Sequence, residues 1–318
     1  MRYTFAPMEG VTTFIYRRIH RRFFPGVDQY YTPFLSPTQH HKFGKRDRDE
    51  VLPEHNDGVP LIPQLMTKSA ADFNWAAGEL AAMGYAEVNL NLGCPSGTVV
   101  PKGKGCGALA DLKKLERFLD EIFAAPAARL SIKTRIGLTN PEEFIPILEL
   151  YNRYPIAELT IHPRLQIDYY KRPVHPDWFA YGIAHSKNPV CYNGDLRTAA
   201  DCAAITAAHP GLTALMLGRG ILANPTLITT ITGGTAVNLA TLRQFHDILF
   251  EDYRALFGHD SSVIHRMKEY WFHLLPLFAG DDKLAKQLRK SKYRPEYTAA
   301  VDSVFRSGLQ PEVSSHPL

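Results

Sequence analysis

Residues 89–110 read NLNLGCPSGTVVPKGKGCGALA. With Glu87 and Val88 in front, the segment through Leu92 reads as a buried strand that follows an apolar helix. The strand ends at Gly93-Cys94-Pro95, and Pro95 has no backbone donor with which to continue strand pairing. Cys94 therefore falls at the C-terminal end of a strand, where a loop begins. That loop contains Gly97, Gly103, Gly105 and Gly107 with Lys102 and Lys104, and no acid. A thiol beside such a loop suits acid–base or nucleophilic chemistry, because nearby cations favour thiolate. The same residues also read as a buried structural cysteine followed by an ordinary glycine-rich turn.

Outward from this strand, short apolar runs recur at residues 3–7, 29–34, 61–65, 130–135, 158–162, 190–193 and 214–217, which makes eight candidate strands. The run near Tyr30-Tyr31 carries the weakest strand signal. Amphipathic stretches fill many of the gaps. Ser69 with Asp72 forms a capping-box-like start, and Phe73, Ala76, Ala77 and Leu80 share one face before Gly84. Asp111 caps a helix with Leu112, Leu115, Leu119 and Ile122 inward. Asn140-Pro141 with Glu142 and Glu143 opens another, carrying Phe144, Ile147, Leu148 and Tyr151. Thr198 with Asp201 opens a further one. Strands alternating with helices imply a parallel sheet. Eight of them over about 230 residues match a (β/α)8 TIM barrel better than an open doubly wound sheet. No GxGxxG opens the first unit, which argues against a dinucleotide-binding Rossmann domain.

After about Gly233 the pattern changes. Leu242, Phe245, Leu249 and Leu256 read as one helix, residues 264–278 as a second and residues 283–293 as a third. The expected division is a barrel over residues 1–233 and a small helical domain over 234–318. The 318 residues are 45% hydrophobic and 21% charged, ample for a sizeable core. None of the four cysteines has CxxC spacing, so no metal site is expected; reduced thiols suit a cytoplasmic protein. The opening MRYTFAPMEG has no long apolar run, which argues against a signal peptide or membrane span. The net charge of +4 is compatible with a polyanionic partner without requiring one.

In such a barrel the active site lies at the C-terminal ends of the strands. The residues there are Met8-Glu9-Gly10, Gln64, Asn91 with Cys94, Lys133 with Arg135, His162 with Arg164, Asn193-Gly194-Asp195 and Gly218-Arg219-Gly220. Singly, each has a bland reading. Gln64 or Asn193 can be a satisfied core amide, Lys133 can snorkel from the rim, His162 can be structural, and the last glycine pair can be a plain turn. Together, seven strand ends of this chemistry point to a site. The loops after the last two strands resemble a phosphate cradle, in which glycines admit backbone donors and Arg219 forks onto phosphate oxygens. Lys133, Gln64 and His162 can then hydrogen-bond the head group of a phosphorylated cofactor.

These motifs resemble the tRNA-dihydrouridine synthases. The matching stretches are APMEGVT (residues 6–12) with Arg17, Gln64-Leu65, NLGCPSGTV (91–99), GKGCGAL (103–109), IKTRIG (132–137), IHPR (161–164), YNGD (192–195) and LGRG (217–220). They span the barrel in the family's order. The resemblance implies an FMN enzyme that reduces uridine in tRNA with NADPH. It places FMN on Pro7, Met8, Gln64, Lys133, His162, Asn193, Gly194, Gly218 and Arg219, with Asp195 in the same loop. It places the target uracil near Asn91, Arg135 and Tyr170, and makes Cys94 the proton donor. Thr13, Pro33, Asn89, Pro163, Leu165 and Asp168 depart from the family's usual residues.

The residue types fit that chemistry. Reducing the uracil 5,6 double bond requires a hydride at C6 and a proton at C5 from a positioned acid. The base must leave its stack to reach a barrel mouth. Residues 283–294 hold six basic side chains and no acid, with Tyr293 among them, a phosphate-plus-stacking composition. Lys286, Arg289 and Lys290 are the expected tRNA contacts. Arg17, Arg18, Arg21 and Arg22 on the first helix, and Lys42, Lys45, Arg46 and Arg48 on an early loop, form weaker basic clusters. The expected protein is a monomer. Rival readings are an FMN reductase of a free pyrimidine, which needs no basic tail, and a non-catalytic RNA-binding barrel, which needs no Cys94.

Overall fold

The computed structural model describes residues 1–236 and 238–310. Among them are nine strands: β1 (Arg2–Phe5), β2 (Gln29–Tyr31), β3 (Leu61–Ile62), β4 (Gln64–Leu65), β5 (Glu87–Leu92), β6 (Arg129–Arg135), β7 (Leu159–His162), β8 (Val190–Tyr192) and β9 (Ala214–Leu217). All pair in parallel, in the order β3-β2-β1-β9-β8-β7-β6-β5-β4. β3 and β4 are the third expected strand, divided at Pro63, so the ring closes through the chain itself. Proline cannot donate to the ladder. Around it the bonds change partner: Gln64 N donates to Thr32 Oγ1 at 2.9 Å, and Asn89 N donates to the Pro63 carbonyl at 2.8 Å. β1 and β2 end earlier than expected, at Phe5 and Tyr31, ahead of Pro7 and Pro33. The result is the TIM barrel that the alternating pattern predicts.

The barrel helices start where their caps lie. Ser69 Oγ accepts from Asp72 N at 3.2 Å at the head of Ala70–Ala82, and Asp111 Oδ1 from Lys114 N at 3.1 Å at the head of Leu112–Phe123. Asn140 and Glu143 cap each other's backbone before Phe144–Tyr151, as do Thr198 and Asp201 before Ala199–Ala208. Leu90, Ile132 and Ile161 pack beneath these helices, so their strand neighbours face the barrel interior.

The C-terminal region is helical: Leu239–Phe257, Asp260–Leu274, Asp282–Lys290 and Arg294–Ser307. Two boundaries differ from the sequence reading. The second helix begins at Asp260 and gives way to a 3-10 turn, Leu275–Leu277, where Pro276 cannot donate. The basic stretch 283–293 is not one helix: it stops at Lys290, and a fourth helix starts at Arg294 with Pro295 in its first turn and buries Tyr297, Ala300, Val301 and Val304. Phe245 joins this region to the barrel, meeting Tyr16 and Phe24 with ring centroids 5.7 and 5.0 Å apart. No helix among the described residues is long and apolar enough to cross a membrane.

The first-helix basic cluster is largely structural. Arg17 is fully buried, and its guanidinium donates to Glu50 Oε2 (2.7 Å), the Thr12 carbonyl (2.9 Å), the Glu50 carbonyl (2.7 Å) and Asn56 Oδ1 (2.9 Å). Arg18 pairs with Asp252 at 2.7 Å, and Arg21 donates to the Val27 carbonyl at 3.2 Å. Arg22 is the exposed member. Lys45, Arg46 and Arg48 belong to a helix, Lys45–Val51, not a loop, and Arg46 pairs with Glu9. Arg17→Met leaves Glu50 as an uncompensated buried charge, so urea denaturation should show a loss of about 3–5 kcal/mol. An unchanged midpoint and slope would contradict this role.

Candidate active site

The barrel interior is divided by polarity. On the β1, β2, β3, β8 and β9 side it is filled by Ala6, Tyr31, Ile62, Cys191, Ala214 and Met216, which pack as one buried cluster. On the β4–β7 side the inward positions are Gln64, Asn89, Asn91, Ser131, Lys133, Arg135, Thr160 and His162. The candidate site lies where the polar half reaches the C-terminal mouth.

A cavity there is lined by Pro7, Met8, Lys133, His162, Tyr170, Asn193, Gly194, Asp195, Gly218 and Arg219. It thus brings together every expected cofactor residue except Gln64, with Tyr170 added. Gln64 is enclosed in the polar half of the barrel. The loops after β8 and β9 meet closely: a Cβ on Gly220 would lie 2.2 Å from the Leu196 carbonyl oxygen, so a side chain there would force them apart. Among the described residues, the backbone N–H groups of Gly194, Asp195, Gly218 and Arg219 have no backbone acceptor. Arg219 Nη2 donates to Asp195 Oδ1 at 2.6 Å, and the buried Arg164 holds the other carboxylate oxygen. Asp195 is therefore a bridge between two guanidinium groups, with its backbone in the left-handed region (φ 43°).

Arg164 also donates to His162 Nε2 at 3.0 Å. That bond puts the imidazole proton on Nδ1. Burial, then the cations Lys133, Arg135, Arg164 and Arg219, hold His162 neutral, its pKa well below the usual value. Burial and Arg135 lower the Lys133 ammonium to about 8, and no carboxylate among the described residues offsets it. A half-buried cation without a counter-ion, facing a cavity, fits an anionic or carbonyl-rich ligand edge.

Cys94 is half-buried at the end of β5. Burial raises its thiol pKa more than the Ser96 backbone, Arg135 and Lys133 lower it. This corrects the expectation that loop cations favour thiolate: burial outweighs the cations, and those that act most on the sulfur are Arg135 and Lys133 of β6, not Lys102 and Lys104 of the loop. Cys106 is fully buried and pushed up to about 12 by burial, and its N–H donates to the Cys94 carbonyl at 3.1 Å. Gly105 (φ +54°) is required between them, because a Cβ there would lie 2.8 Å from Cys94 Cβ.

The three residues expected near the target base take part in holding this mouth together. Asn91 Oδ1 accepts from Gly93 N and Cys94 N, both at 3.0 Å. Arg135 donates to the carbonyls of Gly93 (3.1 Å), Leu165 (2.7 Å) and Tyr169 (2.7 Å), tying the β5 loop to the β7 loop. The Tyr170 ring meets the guanidinium carbons of Arg135 at 5.0 Å and Arg219 at 5.4 Å. Lys286, Arg289 and Lys290 are exposed on Asp282–Lys290 and do not line the cavity. Arg289 instead borders a groove with Lys268 and Phe272, and that phenylalanine is 76% exposed. The sequence reading named Arg164 among the strand-end residues without giving it a role, and passed over Phe272; their signals, an arginine two places after a strand-end histidine and an aromatic on a charged helix, are individually common.

The departures from the family pattern have local partners. Thr13 Oγ1 lies 2.6 Å from Tyr253 OH, and Asp168 Oδ2 accepts from Leu165 N (2.8 Å) and contacts His175 Nε2 (2.9 Å). Asn89 bonds Gln64 and Ser131.

A family model described as dihydrouridine synthase matches residues 4–304. A tRNA-dihydrouridine(16) synthase of Ralstonia nicotianae is 29% identical over 73% of this chain and 72% of its own. A probable tRNA-dihydrouridine synthase 2 of Bacillus subtilis is 24% identical over 96% of this chain and 95% of its own. Among solved structures, the old yellow enzyme from Trypanosoma cruzi superposes with a TM-score of 0.53 over 74% of this chain and 89% of its own at 11% identity, a likeness of fold. With the family model covering nearly the whole chain and five motif-bearing strand ends, those of β1, β6, β7, β8 and β9, lining one cavity, the protein belongs to the dihydrouridine synthase family.

Proposed function

We propose that this dihydrouridine synthase reduces the 5,6 double bond of a uridine in tRNA, holding FMN in the mouth cavity, drawing electrons from NADPH and protonating the base from Cys94. The observation that carries this reading is the cavity itself: unpaired backbone donors and Arg219 at one end, the uncompensated Lys133 and the neutral His162 at the other. That donor set fits FMN. Gly194, Gly218 and Arg219 would hold its phosphate, and Lys133 and His162 Nδ1–H would face its carbonyl edge. When bound, the flavin supplies hydride to uracil C6. Cys94 Sγ–H, kept protonated by burial, delivers the proton to C5. Asn91 retains a second amide hydrogen for the base, and Arg135 and Tyr170 border its place.

The tRNA body lies on the helical region, over Lys286, Arg289 and Lys290 with the exposed Phe272 and Tyr293 for stacking. A free pyrimidine needs none of this surface. The enzyme works as a monomer in the cytoplasm. Several relatives are named for position 16 of tRNA, so mapping of dihydrouridine in tRNA from cells with and without the gene starts there.

Cys94→Ala should keep FMN and tRNA binding yet lose roughly 10²–10⁴-fold in single-turnover reoxidation of reduced enzyme by tRNA. Cys106→Ala should retain most activity. Near-normal product from Cys94→Ala would remove the acid assignment.

Replacing Lys286, Arg289 and Lys290 with Ala should weaken tRNA binding and flatten its salt dependence, because fewer counterions are released. NADPH oxidation without tRNA should be unchanged. Unaltered affinity would mean that this helix is merely solvated.

Lys133 loses its proton around pH 8 in the free protein. A ligand that prefers the ammonium binds fully below that value and progressively less well above it. FMN affinity, followed by flavin fluorescence quenching from pH 6.5 to 9.5, should therefore fall above pH 8. Lys133→Met should bind more weakly and lose that step. A step that persists in the variant would assign it to another group.

A further inference from the structure

We propose that Asn89 is a positioning residue for the reaction at Cys94, acting through a one-directional chain of amides inside the barrel. The inference rests on the reading of Cys94 as proton donor. The chain starts at the loop. Asn91 Oδ1 accepts two backbone hydrogens, from Gly93 N and Cys94 N, so this amide has one orientation. Its Nδ2 must then donate, and it does so to Gln64 Oε1 at 2.8 Å. That fixes Gln64, whose Nε2 donates to Asn89 Oδ1 at 2.8 Å. Asn89 is fixed in turn, and its Nδ2 donates to Ser131 Oγ at 3.0 Å.

Three amides on two adjacent strands are thus oriented by one another, and the chain ends on the backbone of the catalytic cysteine. Gln64 and Asn89 are fully buried and opposite one another in the β4–β5 register. Water has no access to replace a lost partner, and a released amide turns to satisfy itself elsewhere. The Gln64 backbone is held by Thr32 Oγ1, which accepts its N–H at 2.9 Å, and by Leu35 N, which donates to its carbonyl at 2.8 Å, but neither bond orients its side-chain amide. Asn89 supplies the acceptor that orients this amide. It touches neither the cavity nor Cys94, and its effect passes through Gln64 and Asn91.

Asn89→Leu keeps the volume and removes the acceptor. Asn89→Asp keeps an acceptor for Gln64 and another for Ser131 O–H. Ser131→Ala removes only the far end of the chain and guards against a variant that fails to fold. Two measurements separate the inference from the functional reading. The first is alkylation of Cys94 by iodoacetamide in cofactor-free protein, located by mass spectrometry; Cys106, Cys191 and Cys202 are buried. The second is single-turnover reoxidation by tRNA. Asn89→Leu should change the Cys94 alkylation rate and slow turnover by about tenfold or more, as a misplaced catalytic group does. Ser131→Ala should shift both in the same direction by less, and Asn89→Asp should restore both towards wild type. Wild-type alkylation in folded Asn89→Leu and Ser131→Ala, or an Asn89→Asp as impaired as Asn89→Leu, would overturn the inference. Altered alkylation without any dihydrouridine formed by the wild type would instead count against the proposed reaction.

Discussion

A parallel sheet that closes on itself has an inside, and every second residue of every strand must face it. Here that constraint is met in two chemically different ways around one ring. Five strands fill their share mainly with uncharged, largely apolar side chains. The other four carry amides, hydroxyls and cations, which cannot be buried unless they find partners. The polar half is therefore organised by necessity: Asn89, Gln64 and Asn91 bond each other, Arg135 takes three carbonyls, and Arg164 takes His162 and Asp195. The group left without a counter-ion, Lys133, faces the mouth cavity. A site with a vacant electrostatic role arises because the amides and guanidinium groups around it already have partners.

The mouth is held by arginines more than by its loops. Arg135 binds the carbonyls of two loops that diverge in sequence by some seventy residues, and Arg164 and Arg219 share Asp195. A planar guanidinium spans such separations with fixed geometry, which an ammonium cannot do. Near Arg219 the same arrangement has a further consequence. Its partner Asp195 lies beside the unpaired loop donors, so a phosphate bound there would compete with a carboxylate instead of meeting a bare cation. Binding there depends on the combined backbone donors as well as on charge.

Much of this was legible in the sequence. Strand positions followed from apolar runs bounded by glycine and proline, and helix starts from Ser69, Asp111, Asn140 and Thr198, because those signals act within one turn of where they stand. The division of one strand at Pro63 was not legible, since it depends on which neighbour each half bonds. Arg17 shows the same limit. In sequence it is one of four arginines on a helix; only the position of Glu50, thirty-three places away, turns it from a surface charge into a buried ion pair. The fourth C-terminal helix was hidden because the basic run before it reads continuously across Ser291, where the chain in fact turns. The cavity residues were recoverable together because barrel geometry gathers strand ends, whereas Arg164 needed the observed bond to His162 to be distinguished from a rim charge.

The protonation of Cys94 turns on a contest of magnitudes. Arginine and lysine nearby lower a thiol pKa, and a cysteine surrounded by them is ordinarily read as a thiolate nucleophile. Here the sulfur lies at the edge of a packed loop, with Gly105 against its Cβ, and desolvation exceeds the pull of Arg135 and Lys133. Part of that pull is already committed, because Arg135 directs its hydrogens to three carbonyls. Each pKa unit is worth about 1.4 kcal/mol, so a modest balance in favour of burial is enough to keep the proton on sulfur at neutral pH. For a nucleophile that balance would be a defect. For a group that must arrive at a carbon centre carrying its proton, in a mouth lined by cations, it is the required state.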